Sequence, residues 1–197
     1  NVNVIPSGVG GVESILKTLP GVSSNNELSS QYNVRGGNYD ENLVYVNDIE
    51  IYRPFLARSG QQEGLSFINS DLVSGIEFSA GGFDAKYGDK MSSALDIKYK
   101  KPTVFAGSVS GSLLGFSTHI EGITKNDRFM YLLGIRQKSN QYLLKSLDTK
   151  GSYKPSFTDV QAYLNYKWNH KINIDFLGNF ARNIYNVIPQ NRETDFG

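Results

Sequence analysis

The 197 residues suffice for one large domain or two small ones with a sizeable core, and 20 basic against 19 acidic side chains leave a formal net charge of +1. That balance gives no electrostatic case for nucleic acid or for an anionic membrane surface. The absence of cysteine removes disulfide scaffolds, thiolate metal sites and cysteine nucleophiles together, while 12 tyrosines, 11 phenylalanines and 20 glycines point to a β-rich chain with many turns.

No stretch reaches the ~20 apolar residues of a membrane-spanning helix, and the longest apolar run, Phe129 to Ile135, has the length of a strand. The two histidines, His119 and His170, are too far apart for a histidine metal cage and are expected as solvated strand or turn residues. No metal or other cofactor is expected. The chain begins at Asn1 with neither Met nor a leader-like segment, and reads as a mature protein or an excised piece.

In chain order, an open glycine-bearing start leads to Val12, Ile15, Leu16 and Leu19 at helical spacing, stopped by Pro20-Gly21. A helix this short is marginal alone, so its apolar face must dock on the neighbouring sheet. After the polar loop 23–30, the stretch from Gln31 to Tyr52 reads as a strand, loop, strand, turn, strand meander. Its turns are Gly36-Gly37 through Asn42 and Asn47-Asp48. Arg35, just before the double glycine, is costly to bury without a partner. The loop Arg53 to Gly64 mixes aromatic, cationic and amide side chains, which suits a recognition surface. A short capped helix is expected near Ser66 to Val73, with Asn69 or Ser70 at its start. A strand over 75–79, a loop turning at Gly81, Gly82 and Gly88, and a strand over 93–100 complete an α+β unit of small mixed sheet and short helices.

Beyond Thr103 helical spacing vanishes. Asp159, Gln161, Tyr163, Asn165 and Lys167 fall on one face of a strand, and Val160, Ala162, Leu164, Tyr166 and Trp168 on the other. Ile172, Ile174, Phe176 and Phe180 likewise oppose Asn173, Asp175 and Asn179, and Phe129, Tyr131, Leu133 and Ile135 oppose Met130, Leu132, Gly134 and Arg136. Tight turns are expected at Asn126-Asp127 and Asn169-His170, and a long loop over 139–156. Such antiparallel strands fit either an outer-membrane barrel wall with an aromatic girdle or a soluble sheet packed on one face. The lack of a second apolar layer favours the wall.

These residues resemble the plug domain and first barrel strands of a TonB-dependent outer-membrane receptor, of the kind found in Bacteroidetes. The matching runs are Leu16 to Val22 (LKTLPGV), Tyr32 to Gly37 (YNVRGG), Val44 to Tyr52 (VYVNDIEIY), Asn69 to Glu77, Gly81-Gly82-Phe83 and Ala85 to Gly88. Asn47-Asp48 stands where the family writes Asp-Gly, a change that left-handed turn geometry tolerates.

The resemblance implies a plug over residues 1–102 and the opening strands of a truncated transmembrane β-barrel over 103–197. A family barrel has 22 strands and this chain offers about five; it also shows no TonB box before the plug. The implied function is binding of a scarce nutrient (siderophore, haem, vitamin or similar) and its import with energy supplied by TonB, the plug gating the barrel in the outer membrane. Implied partners are TonB, through a segment not present in this chain, the nutrient, and outer-membrane lipid. The ligand-facing loop residues would be Asn25, Asn26, Asn38, Tyr39, Tyr52, Arg53 and Phe55. Arg35 and Glu77 would form a hydrogen-bonded latch holding the plug. No nucleophile triad or phosphate loop supports an enzyme. The other reading kept open is a soluble β-rich binding or adhesion module.

Overall fold

The computed structural model describes residues 11–24, 31–52, 54, 65–88, 90–139 and 152–188. Helix α1 (Val12–Leu16) places Val12 and Leu16 one turn apart, both buried. It is shorter than the spacing predicts because Thr18 and Leu19 bond back only three residues, to the carbonyls of Ile15 and Leu16, before Gly21 turns the chain at φ 82°.

The pair β1 (Val22–Ser23) and β2 (Asn33–Val34) is antiparallel. A separate four-stranded sheet holds β3 (Asn42–Val46), β4 (Ile49–Glu50), β5 (Val73–Ser79) and β6 (Ser93–Tyr99) in the order β4-β3-β6-β5. Within it β3 and β6 run parallel, and the other neighbours are antiparallel. The expected meander from Gln31 to Tyr52 is therefore only half present. The β3–β4 hairpin forms around Asn47 (φ 48°) and Asp48 (φ 65°), both left-handed as a two-residue hairpin turn requires. β2 does not join it, because both edges of β3 are already taken, one by β4 and the other by β6.

Between β2 and β3 the chain leaves the sheet. Arg35 and Gly36 both take positive φ, and Gly37 donates its N–H to Val34. Gly37 runs so close to its neighbours that an added Cβ would lie 1.8 Å from Ser92 Oγ, so glycine is required there by contact. The short capped helix expected near 66–73 is a single 3-10 turn, Ser70–Leu72, whose cap is Asn69: its side-chain oxygen accepts from the Asp71 N–H at 3.1 Å.

The remaining strands form one antiparallel meander: β7 (Ala106–Ser112), β8 (Gly115–Ile123), β9 (Phe129–Ser139), β10 (Ser152–Lys167) and β11 (Asn173–Ile188). The long loop expected over 139–156 is shorter at both ends. Ser139 pairs with Ser156, and β10 continues against β11 as far as Ser152 opposite Ile188; residues 140–151 lie outside the described residues. The tight turns at Asn126-Asp127 and Asn169-His170 are present, and a third, Leu113-Leu114, joins β7 to β8 on the opposite rim, so short turns are not confined to one rim.

The alternation of the wall strands is realised with polarity reversed from that of a soluble sheet. On β10, Asp159 and Gln161 are fully buried, while Val160 and Tyr166 are exposed. On β11, Ile174, Phe176 and Phe180 face outward. The inner face receives the N-terminal unit, and its Met130, Leu132 and Tyr163 join Leu16, Val34, Val46, Leu72, Leu95 and Ile97 in one apolar core.

Candidate functional site

Among the described residues, the seam between the N-terminal unit and the strand wall holds a dense buried polar constellation. β9 and β10 set Arg136 across from Asp159, and Gly134 across from Gln161. Arg136 donates from Nε and Nη2 to Asp159 Oδ2 at 2.9 and 2.5 Å. Its remaining donors cross the seam, Nη1 to the Ile68 carbonyl at 2.6 Å and Nη2 to the Ser66 carbonyl at 2.9 Å. Gln161 Nε2 donates to the Phe67 carbonyl at 3.1 Å and its Oε1 accepts from Tyr99 Oη at 2.6 Å. Asn179 donates to the other Asp159 oxygen. The planar guanidinium suits this task, since its fork can serve a carboxylate and two carbonyls at once.

Burial sets the protonation of the groups facing this seam. Glu13, in the first turn of α1, is buried; loss of hydration pushes its carboxyl above the ordinary glutamate range, while the Ser66 hydroxyl, its own backbone, Arg136 and Lys17 pull it back. Burial likewise raises the Tyr99 phenol, which keeps it a donor to Gln161.

A second polar group lies where the chain passes from the N-terminal unit to the wall. His119 Nδ1 is 2.7 Å from Ser108 Oγ, its Nε2 is 3.4 Å from Lys100 Nζ, and Glu121 lies 3.5 Å from that same nitrogen. His119 is buried, against the expectation of a solvated histidine, because on β8 it points to the inner face where Lys100 closes over it; His170, in the β10–β11 turn, is exposed as expected. Beyond this group a cleft of about 490 Å³ opens between Asp48 and Lys101 on one side and Asp127, Lys167 and Asn173 on the other. In the outer face of the small sheet, buried Asp96 accepts from Tyr87 Oη at 2.7 Å and faces Lys98 at 3.2 Å.

Of the predicted ligand-facing residues, Asn38 is exposed, Tyr39 begins the 3-10 turn Tyr39–Glu41, and Tyr52 is 84% exposed. Asn25, Asn26, Arg53 and Phe55 lie outside the described residues. Arg35 and Glu77 are exposed and form no ion pair with each other; the guanidinium of Arg35 lies against the Gly81 turn instead, with Nη1 3.4 Å from where a Gly81 Cβ would be. The left-handed backbone at Arg35 ends β2 and directs its side chain toward that turn, while Glu77 stands on the outer face of β5, opposite Asp96. Gly81 and Gly82 take positive φ as turn formers, and Gly88 lies in open space.

Sequence reasoning placed Gly134 and Arg136 on one face of β9, and Asp159 and Gln161 on one face of β10, but missed that these faces meet the backbone of residues 66–68. The available signal was a buried-facing arginine on one strand and an aspartate on the next, two charges that need each other and a register that supplies it.

A small mixed sheet seated on the polar inner face of an antiparallel wall, with the wall's apolar face turned outward, is the architecture of a plugged β-barrel. Residues 6–94 match the TonB-dependent receptor plug domain, and the fold is that of such a plug followed by the start of a barrel. No curated protein sequence matches it. Among solved structures, it is similar to the siderophore receptor PirA from Acinetobacter baumannii (TM-score 0.59, 18% identity, 88% of this chain and 29% of that one). It is similar as well to PirA from Pseudomonas aeruginosa (0.58, 17%, 92% and 32%) and to a mutant of the ferric enterobactin receptor PfeA from the same organism in complex with enterobactin (0.57, 17%, 88% and 31%). The chain thus spans about three tenths of the length of these receptors.

Proposed function

We propose that this chain is the gating part of an outer-membrane transporter that binds a scarce nutrient and imports it with energy supplied through TonB. The observation that carries the reading is the wall's reversed polarity: Asp159, Gln161 and Asn165 buried against the plug, Phe176 and Phe180 bare on the outside. A soluble binding module would leave that apolar face in water without a covering layer, so the alternative is disfavoured on the same observation.

Two of the structural neighbours are siderophore receptors and the third is a ferric enterobactin receptor, which makes a ferric siderophore the first ligand class to test. Asn38, Tyr39 and Tyr52 of the described residues, with Asn25, Asn26, Arg53 and Phe55, are our candidates for the ligand-facing set. Arg35 and Glu77, exposed charges without a mutual partner, are assigned as latches to wall strands beyond Ile188. The test is binding of the complete receptor to a panel of ferric siderophores, haem and cobalamin, followed by uptake with and without functional TonB. Saturable binding of one class and TonB-dependent uptake are expected. Uptake that persists unchanged without TonB, or a complete reading frame with no further amphipathic strands, overturns the reading.

A further inference from the structure

Gly134 and Arg136 lie two apart on β9 and face inward together, with Gln161 and Asp159 directly across on β10. The plug turn Ser70–Leu72 closes down on Gly134. A Cβ built there would sit 2.4 Å from Asn69 Nδ2 and 3.4 Å from Leu72 Cδ1, so a larger residue must displace the Asn69 amide that caps the turn. Just ahead of that turn, the three consecutive carbonyls of Ser66, Phe67 and Ile68 are held by Arg136, Gln161 and Arg136 respectively.

We propose that this four-residue square, Gly134 and Arg136 over Gln161 and Asp159, is a socket in the wall whose occupant is the plug's own segment 66–72, and that Gly134 and Arg136 are the wall residues that position the plug. The proposal rests on the plug-and-wall reading above and adds to it the place where the two parts are fastened. The socket grips main-chain carbonyls, and filling Gly134 or removing the fork at Arg136 undoes it. A lysine at 136 has one point charge on a flexible stem and cannot hold Asp159 and two carbonyls together. Asp159 is the positioning partner: it orients the guanidinium and balances its charge in a site closed to water.

The experiment uses the complete receptor in detergent or outer-membrane vesicles and reads amide hydrogen exchange over residues 68–72. Gly134→Leu and Arg136→Gln are expected to raise exchange there by about tenfold or more and Arg136→Lys by a smaller factor, with protection of β10 retained. Unchanged exchange in both Gly134→Leu and Arg136→Gln overturns the socket. Should either fail to assemble, a second measurement is made in a receptor cleared of any cysteine outside these 197 residues, which themselves hold none. The pair Asn69→Cys with Gly134→Cys should cross-link under mild oxidation in intact receptor, and a pair that stays reduced overturns the proposal. Neither readout requires transport. A receptor that passes both but takes up no nutrient overturns the transport reading and leaves the socket standing.

Discussion

The four-stranded sheet and the five-stranded wall are built from the same period-two alternation and assign it in opposite ways. In the plug sheet, Leu95, Ile97 and Tyr99 of β6 turn inward to an apolar core and Lys98 turns out; in the wall, Asp159, Gln161 and Asn165 turn inward and Val160 and Tyr166 turn out. The difference teaches that alternation fixes which residues share a face but not which face is wet. What decides is the partner of each face: the plug's inner face meets α1 and the wall's Met130, Leu132 and Tyr163, whereas beside these the wall's polar residues meet plug backbone, which carries carbonyls in need of donors.

The comparison breaks most sharply at the buried ion pair. Asp159→Ala strands the Arg136 guanidinium without its carboxylate, and a loss of about 3–5 kcal/mol is expected in the unfolding of the complete receptor followed by denaturant titration. A variant as stable as the parent would show that the pair is dispensable. In the plug core, Leu95→Ala should remove about 2–5 kcal/mol by leaving a cavity between α1 and the sheets, read in the same titration. On the outer face, Phe180→Arg should cost about 2–4 kcal/mol when the protein is folded in lipid if it lies near the midplane, and close to nothing if that face is wet. It is the most direct comparison of the two assignments.

The smallest expected effect is a pH dependence. Because burial raises the Glu13 carboxyl above its unfolded value, the folded plug holds that proton more tightly; its contribution to stability is full below the ordinary glutamate range and is lost as pH rises through the raised value. Thermal unfolding across a pH series should therefore show the plug gaining stability on acidification through that window, and Glu13→Gln should flatten the gain. An identical slope in parent and variant would remove Glu13 from the account.

Much of the wall was legible because a strand exposes its faces in its own sequence: Asp159, Gln161, Tyr163 and Asn165 of β10 turn inward as the alternation predicts, and Asp175 and Asn179 of β11 bond to that set, although Lys167, Asn173, Asp175 and Asn179 are exposed. The Asn47-Asp48 hairpin was legible for a similar local reason, two residues that accept left-handed geometry. The partner of β2 was not, since the competitor that displaces it from β3 is β6, and nothing in the local pattern announces a parallel neighbour. His119 was misplaced because a single histidine in a weakly patterned strand gives no sign of which face is covered. The socket escaped for a deeper reason: its plug half consists of carbonyls, which every residue has, so only its wall half, Gly134 with Arg136 and Asp159 with Gln161, leaves a mark in side chains.

The parallel pairing of β3 with β6 also fixes when the plug can form. Ser93 Oγ donates to Asn42 Oδ1 at 2.7 Å across a separation of 51 residues, and β3 has no other long neighbour in its sheet. Closing a loop of that length must precede any reward from the contacts it brings, which makes such pairings slow relative to hairpins. A chain that has emerged only as far as β4 can make the β3–β4 hairpin, and the rest of this sheet waits for β6. Refolding kinetics of the plug should accordingly be limited by that closure, so that shortening the segment between β4 and β5 accelerates folding while changes within the β3–β4 turn leave the rate nearly as it was.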